Sequence, residues 1–387
     1  MKKLRVGIIG AGFIGRQHIE AVGRIPGAEI VAAADQNLEM VRSLSEDSFI
    51  PHCTSDYHEI LDNQDIDVVH ICTPSNTHFE MSKEALLKGK HVYCEKPLCL
   101  DTRETAELCR IAKESGLAHG IDLNYRFNAA VQEMHYRVKS GDIGRVLTVH
   151  GEYLQDWMLF ESDYDWRVDP KIGGASRAVA DIGSHFFDTM QFILGTKVKR
   201  IYSKFIKAYD TRTHSLNDNA TTYAKVLGTV VEEVEVSTED AAFIIAEMED
   251  GVPTFINISQ ICAGHKNGLG INVSGTKMGL EWEQQNPDKL IIGHRNSPNE
   301  YILLGAQNIS PAVSRFLPLP AGHPCGWVDA LKNAINEFYI YIRTGKYQNK
   351  KVNYPTFEDG HQIMQLIEAC IQSDETGSWV ELPGSME

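Results

Sequence analysis

From residue 4 to about residue 122, short unbroken apolar runs alternate with stretches whose apolar positions recur every three or four residues. Such runs read as strands buried on both faces, and the periodic stretches as amphipathic helices. Strands are expected at 4–9, 29–34, 51–53, 68–72, 91–94 and 117–121, with helices near 13–25, 37–46, 56–62, 77–88 and 102–115. That alternation predicts parallel βαβ units in a doubly wound α/β sheet. Right-handed crossovers then put all the strand C-termini on one side, where ligands bind in such folds.

The pattern changes in the second half. A helix near 126–140 ends at Gly141, and Val146–Leu154 opens a strand-rich region. Alternating or aromatic-rich runs recur near 198–208, 220–228, 241–249, 253–261, 269–275, 279–284, 289–293 and 300–304. Two strong helical patterns accompany them, near 183–194 and 325–344, and the proline-bearing stretch 305–324 reads as a long loop. The expectation is an N-terminal Rossmann domain over 1–122, joined to an α+β domain over 123–387 with a large, open, mostly antiparallel sheet. Helices cover one face of such a sheet. The other face needs a cover, and a homodimer or homotetramer built through it is expected.

The first turn carries chemistry. Gly10-Ala11-Gly12-Phe13-Ile14-Gly15 lies between the first strand and its helix, and Asp35 ends the second strand, 25 residues after Gly10. In this arrangement the first glycine allows a tight turn, the second lets the backbone approach a pyrophosphate, and the third lets helix pack on strand. The free amides and positive end of the helix face the phosphates. A carboxylate at Asp35 accepts from a ribose diol and repels a 2′-phosphate, so NAD is expected and NADP disfavoured. Neither Gln36 nor Asn37 supplies a cation, although Arg42 lies near in sequence.

Bulk properties narrow the partners. With 43% apolar and 23% charged residues over 387 positions, the chain has the make-up of a globular protein of about two domains. A formal charge of −15 argues against nucleic acid or an anionic membrane as main partner. No run approaches the ~20 apolar residues of a membrane span. The basic start lacks a continuous apolar segment and a small-residue cleavage site, so a cytoplasmic protein is expected. The eight cysteines form no CxxC pair and read as reduced thiols, and no metal site is expected.

Two further motifs complete a pattern: Gly89-Lys90-His91-Val92-Tyr93-Cys94-Glu95-Lys96-Pro97-Leu98 and Asp181-Ile182-Gly183-Ser184-His185-Phe186-Phe187-Asp188. With the glycine fingerprint and Cys72-Thr73-Pro74-Ser75-Asn76-Thr77-His78, the chain resembles the Gfo/Idh/MocA superfamily. The resemblance implies an NAD(P)-dependent dehydrogenase that oxidises a secondary alcohol of a sugar or cyclitol, or reduces a keto-sugar in reverse. It places the catalytic lysine on Lys96, and a substrate-domain aspartate and histidine on Asp181 and His185. It assigns Gly10, Gly12, Gly15 and Asp35, together with Thr73, Pro74, Asn76, His78 and Glu95, to the cofactor. A cis Lys96–Pro97 bond is part of the same expectation.

Hydride transfer from a carbinol requires a base for the hydroxyl proton and a donor for the developing charge on oxygen. Neutral His185 suits the first task and Lys96 the second, and the reverse assignment stays open. Asp181 stands four residues before His185, so the two share a face if both lie on one helix. Asp181 then orients substrate or steadies a partner, unless it merely caps the helix. Tyr125, Arg126 and Asn128 after the last Rossmann strand are expected at the crevice. Trp157, Trp166 and Arg167 are expected to stack on and bind a polyhydroxylated ring, with His265 a further candidate. Two other readings stand beside the dehydrogenase: a catalytically silent NAD-binding regulator, and a metal-dependent enzyme with Asp181 and His185 as ligands. The latter lacks a third ligand at suitable spacing.

Overall fold

The computed structural model describes residues 3–215, 231–348 and 351–383. Strands β1 (Leu4–Ile9), β2 (Ala28–Ala34), β3 (His52–Thr54), β4 (Val68–Ile71), β5 (His91–Cys94) and β6 (His119–Ile121) form a parallel sheet in the order β3-β2-β1-β4-β5-β6. Helices α1 (Phe13–Gly23), α2 (Leu38–Ser48), α3 (Tyr57–Asp62), α4 (His78–Leu87) and α5 (Thr102–Ser115) connect them. The strand order reverses between β1 and β4, so their C-terminal ends splay apart into a crevice. Val6, Ile8, Val68, Val69, Ile71 and Val92 are wholly buried, as strands covered on both faces require.

The second half holds α6 (Ala129–Lys139), the single turn α7 (Pro170–Gly173), α8 (Ser184–Leu194), α9 (Trp327–Thr344) and α10 (Phe357–Thr376). Its strands are β7 (Val146–Leu154), β8 (Val198–Ile206), β9 (Thr211–Ser215), β10 (Val231–Glu235), β11 (Ala241–Met248), β12 (Pro253–Ser259), β13 (Gly268–Gly275), β14 (Gly279–Glu283), β15 (Lys289–Gly293), β16 (Glu300–Leu303) and β17 (Val380–Glu381). Nine of them form one sheet, β16-β15-β14-β13-β7-β12-β11-β8-β17, in which β7 and β12 pair in parallel and the other neighbours are antiparallel. β9 and β10 make a separate two-stranded arm. The strand expected near 220–228 lies outside the described residues.

Three expectations need correction. The helix foreseen from 126 to 140 is split, because Asn128 adopts extended backbone and its side chain accepts from the Ala130 amide at 3.0 Å. Asn128 is therefore the cap of α6 rather than a crevice residue. A third long helix, α10, was not foreseen. Gly360, Gln362 and Gln365 dilute its apolar period, although Thr356 and Asp359 form a reciprocal capping box. Gly360 is there because α10 presses on the Rossmann half: a Cβ at that position would lie 2.9 Å from Leu98 and 3.0 Å from Ile121. The strands of the arm also lie outside the foreseen pattern.

Alternation in β11 and β12 puts Ala242, Ile244, Thr254, Ile256 and Ile258 inward and leaves Phe243, Ile245 and Phe255 exposed on the opposite face. All eight cysteines are free thiols. Among the described residues no helix is long and apolar enough to cross a membrane.

Candidate active site

A cleft of about 1110 Å³ runs from the β1–α1 turn to the inner end of α8. Its Rossmann wall contains Gly10, Gly12, Phe13, Ile14, Asp35, Thr73, Pro74, Asn76, Glu95 and Lys96. The three glycines differ in their surroundings. Gly10 has φ +99° and a Cβ there would stand 2.5 Å from the Cys72 carbonyl oxygen; one at Gly15 would stand 2.0 Å from the Gly10 oxygen. Gly12 has open space where its Cβ would be, at the N-terminus of α1. A phosphate can therefore approach the helix amides through the place a side chain would fill. Asp35 accepts from the Ala11 amide at 2.8 Å and the Asn37 amide at 2.9 Å, which fixes its carboxylate at the cleft edge with lone pairs to spare.

The catalytic candidates converge at the inner end. Lys96 follows β5, its bond to Pro97 is cis, and its Nζ donates to both the carbonyl oxygen and Oδ1 of Asp181 at 2.8 Å. Asp181 sits on the π-helical turn 179–183 that leads into α8, and its side chain does not cap that helix. It accepts instead from Lys96 and from Gln260 Nε2 at 2.8 Å, and forms an ion pair with Arg167, whose Nε is 3.3 Å away. Burial alone would push the Asp181 carboxyl up, but Lys96 and Arg167 outweigh it and hold the group well below its usual range. His185 follows by one turn, 8% exposed, its ring edge-on to Tyr125. Burial, then the Lys96 charge, push its imidazole down to about 3, so it is neutral near pH 7. Its Nδ1 is buried without a hydrogen-bond partner among the described residues, which leaves Nε2 as the nitrogen available to the cleft.

The far wall was only partly foreseen. Tyr125, Trp166 and Arg167 line the cleft, with the Arg167 guanidinium 4.3 Å over the Trp166 ring. Beside them Tyr125, Tyr153 and Gln155 meet on Asn267, with Tyr153 Oη 2.5 Å and Gln155 Nε2 3.3 Å from its Oδ1. Asn124 also faces the cleft, 1% exposed, and neither atom of its amide has a partner among the described residues. Its place just past the end of β6 was the available signal, since doubly wound folds bind ligands there. Tyr153, Gln155, Gln260 and Asn267 reach the site from β7, the end of β12 and the approach to β13, and no local motif marks them.

Several candidates lie elsewhere. Arg126 turns away from the cleft and pairs with Asp188, its Nε 2.9 Å from Oδ2, and with Asp359 at 3.5 Å. The turn 124–127 directs it toward α8, so it braces helices instead of binding substrate. His78 does not line the cleft. Its ring is wedged between the carbonyls of Pro97 and Thr73, both at 2.8 Å, and it holds the two loops that do. Trp157 packs in a small cluster with Met158 and Val168 and donates to Gln155, while His265 gives way to its neighbours Lys266 and Asn267 at the cleft.

Both halves of the chain have known relatives. Residues 4–122 match the Gfo/Idh/MocA model for "Oxidoreductase family, NAD-binding Rossmann fold", and residues 136–382 match that for "Oxidoreductase family, C-terminal alpha/beta domain". Levoglucosan dehydrogenase of Pseudarthrobacter phenanthrenivorans is 26% identical over 399 residues, covering 99% of each chain. D-glucoside 3-dehydrogenase of Escherichia coli is 25% identical over 390 residues, covering 98% of this chain and 97% of its own. A solved structure of levoglucosan dehydrogenase with NADH and L-sorbose superposes with a TM-score of 0.87 at 25% identity, covering 99% of this chain and all of the other.

Proposed function

The chain belongs to the Gfo/Idh/MocA oxidoreductase family, and on that premise we propose that it transfers a hydride between a secondary alcohol of a sugar or cyclitol and NAD. The observation that carries the reading is the meeting of Lys96, Asp181 and His185 at the inner end of the cleft that begins at the glycine-rich turn. NAD supplies the hydride acceptor. The amides at Gly12–Phe13, the Asp35 carboxylate and the loop Thr73–Asn76 would hold it, with Glu95 near the reacting end.

Two of the three ammonium protons of Lys96 are committed to Asp181, and the third is left for the reacting oxygen. Lys96 then stabilises the developing alkoxide, His185 accepts the hydroxyl proton on Nε2, and Asp181 is the positioning residue that aims the ammonium. Tyr153, Gln155, Asn267 and Arg167 offer the alternating donors and acceptors that ring hydroxyls require, beside the flat face of Trp166. The names of the relatives point the same way, toward anhydrosugars, glucosides and inositol. Reduction of a keto-sugar uses the same groups in reverse. A silent regulatory role is disfavoured, because a buried ion pair aimed into an open cleft costs desolvation that a non-catalytic protein has no reason to bear.

Formation of NADH, followed by absorbance against inositols, aldoses, glucosides and anhydrosugars, tests the reading. Turnover on at least one class is expected. Inactivity across all of them, and with keto-sugars plus NADH, would support the silent regulator.

A second copy of this chain is the cover we propose for the open sheet face. Phe243, Ile245 and Phe255 stand exposed there around a depression of about 710 Å³. Light scattering is expected to find a dimer or tetramer for the native chain, and a monomer for Phe243→Glu combined with Phe255→Glu. A native chain that is monomeric at micromolar concentration would remove the proposal.

A further inference from the structure

Behind the cleft floor lies a chain of buried polar groups that meets the cleft at Glu95 and whose histidines the proposed chemistry does not use. His18 on α1 is wholly buried. Its Nε2 is 3.0 Å from Glu95 Oε1 and 3.8 Å from Asp122 Oδ2, and its Nδ1 is 2.8 Å from Nδ1 of His70 on β4. His70 Nε2 is in turn 2.8 Å from the Tyr339 hydroxyl on α9. Tyr93 donates to Asp122 at 3.0 Å, and Glu95 accepts from the Lys96 amide at 3.1 Å. Cys72 at the end of β4 and Arg343, whose guanidinium stands 5.9 Å from the Tyr339 ring, complete the surroundings. Only Glu95, Asp122 and Cys72 of this set reach the cleft, along with Lys96.

Each link in that chain needs one proton, and two inventories satisfy the same heavy atoms. In the first, Tyr339 donates to His70, His70 donates to a neutral His18, and His18 donates to Glu95. In the second, His18 donates from both nitrogens, to Glu95 and to His70, and His70 donates to the Tyr339 oxygen. The second holds one proton more, and it is admitted by a change of the His70 tautomer and a turn of the Tyr339 hydroxyl, with no heavy atom displaced. An ionised carboxylate accepts only, so the charged His18 is the form that two neighbouring carboxylates favour. Burial opposes that charge and also keeps the Cys72 thiol protonated, but the Asp122 and Glu95 carboxylates outweigh it and raise the His18 titration well above the ordinary 6.5. Burial and the His18 charge push His70 down, so of the two rings His18 is the one that takes the extra proton, while burial and the Asp122 charge push the Glu95 carboxyl up.

We propose that His18 is a proton-holding site whose occupancy follows the charge of the cofactor: loaded in the free enzyme and with NADH, and emptied when NAD⁺ binds. The proposal rests on the NAD-dependent reading above. The oxidised nicotinamide carries a positive charge that the reduced ring lacks, and the carboxylates that hold the His18 proton line the same cleft. A unit charge ~10 Å away displaces a titration by on the order of one pH unit in a protein interior. In alcohol oxidation the hydride with its electron pair passes to the cofactor and the hydroxyl proton passes to His185. Loss of the ring's charge then draws one further proton from solvent onto His18. That proton leaves when NADH is exchanged for NAD⁺.

Calorimetric titration of the full chain with NAD⁺ and with NADH, in buffers of different ionisation enthalpy from about pH 6.5 to about pH 9, counts the protons. NAD⁺ binding is expected to release up to about one proton, at least about threefold more than NADH. The Kd for NAD⁺ should rise by up to about tenfold for each pH unit lowered, while that for NADH changes by less than about twofold. His18→Gln should abolish the difference with both cofactors still bound. His70→Phe, a milder change, removes the acceptor of the second His18 proton and should shrink the release, whereas His185→Ala should retain it. Equal proton counts for the two cofactors, or a release that survives His18→Gln, would overturn the proposal. So would a stoichiometric divalent ion in the purified protein, which would stand where the proton does. Failure to bind either cofactor would instead bring down the NAD-dependent reading itself, and the proposal with it.

Discussion

Replacing Lys96 with Met is expected to lower kcat by about 10³-fold or more while the Kd for NAD stays within about threefold of the native value, since it removes the donor to the developing alkoxide and little of the cofactor contact. Calorimetry for the Kd, and steady-state rates with the best substrate of the panel, check the two halves. The size follows from the setting. The Lys96 ammonium and the Asp181 carboxylate are both largely buried, and their two 2.8 Å contacts fix the direction of the remaining N–H. A fixed donor in a dry site requires no reorganisation when charge develops on the substrate oxygen. Asp181→Asn should cost less than Lys96→Met, and the double variant little more than Lys96→Met alone, because Asp181 acts through the lysine.

A pH signature accompanies the loss. Burial and the Lys96 charge together bring His185 to about 3, so neutral imidazole is present throughout the working range of the native enzyme. Without the lysine charge the His185 titration moves part of the way back toward 6.5. Protonated imidazole cannot accept the hydroxyl proton, so the residual rate of Lys96→Met should fall as pH drops through the interval between about 6.5 and about 3. The native rate should lack that limb. Native-like turnover in Lys96→Met would refute the assignment, and a residual rate flat across this range would remove His185 as the proton acceptor.

The Rossmann half was legible because its signals are local. Helix α5 was foreseen over 102–115, where it runs from Thr102 to Ser115, since Asp101 caps its start and Gly116 takes the left-handed conformation at its end. The glycine turn was legible for the same reason. Long-range pairing was not. Gln260 lies 79 residues from Asp181, and Asn267 lies 142 from Tyr125; only the fold brings either pair together. Arg126 misled because the position after a last Rossmann strand promises a crevice side chain, and the sequence gives no sign that Asp188 and Asp359 lie in wait on two helices. His78 misled differently. It belongs to the right loop, but both of its ring nitrogens serve backbone carbonyls, of Thr73 in that loop and of Pro97 in the next.

A second large effect is expected far from the chemistry, at the corner that presents Asp181. Asp240, wholly buried, accepts through one carboxylate oxygen from both Arg177 and Arg212, the latter at 2.6 Å, and both guanidinium groups are themselves fully buried. Arg212 also ties three carbonyls, of Met158, Phe160 and Asp163, to the arm that carries it. Next to Asp240, the Glu239 carboxylate accepts from the Ser176 hydroxyl and from the amides of Arg177 and Val179, at the start of the turn leading to Asp181. The Asp240 carbonyl receives the amide of Gln260, whose side chain holds Asp181 from the other side. Asp240→Leu strands two guanidinium charges in the interior, a loss of about 3–5 kcal/mol in unfolding free energy. Urea unfolding followed by tryptophan fluorescence measures it. Adding Arg177→Met to Asp240→Leu should restore at least about 1 kcal/mol, because one stranded charge goes and Arg212 keeps its carbonyl partners. A single variant that loses less than about 1 kcal/mol, or a double variant less stable than the single, would show that Asp240 is not the counter-ion that holds this corner together.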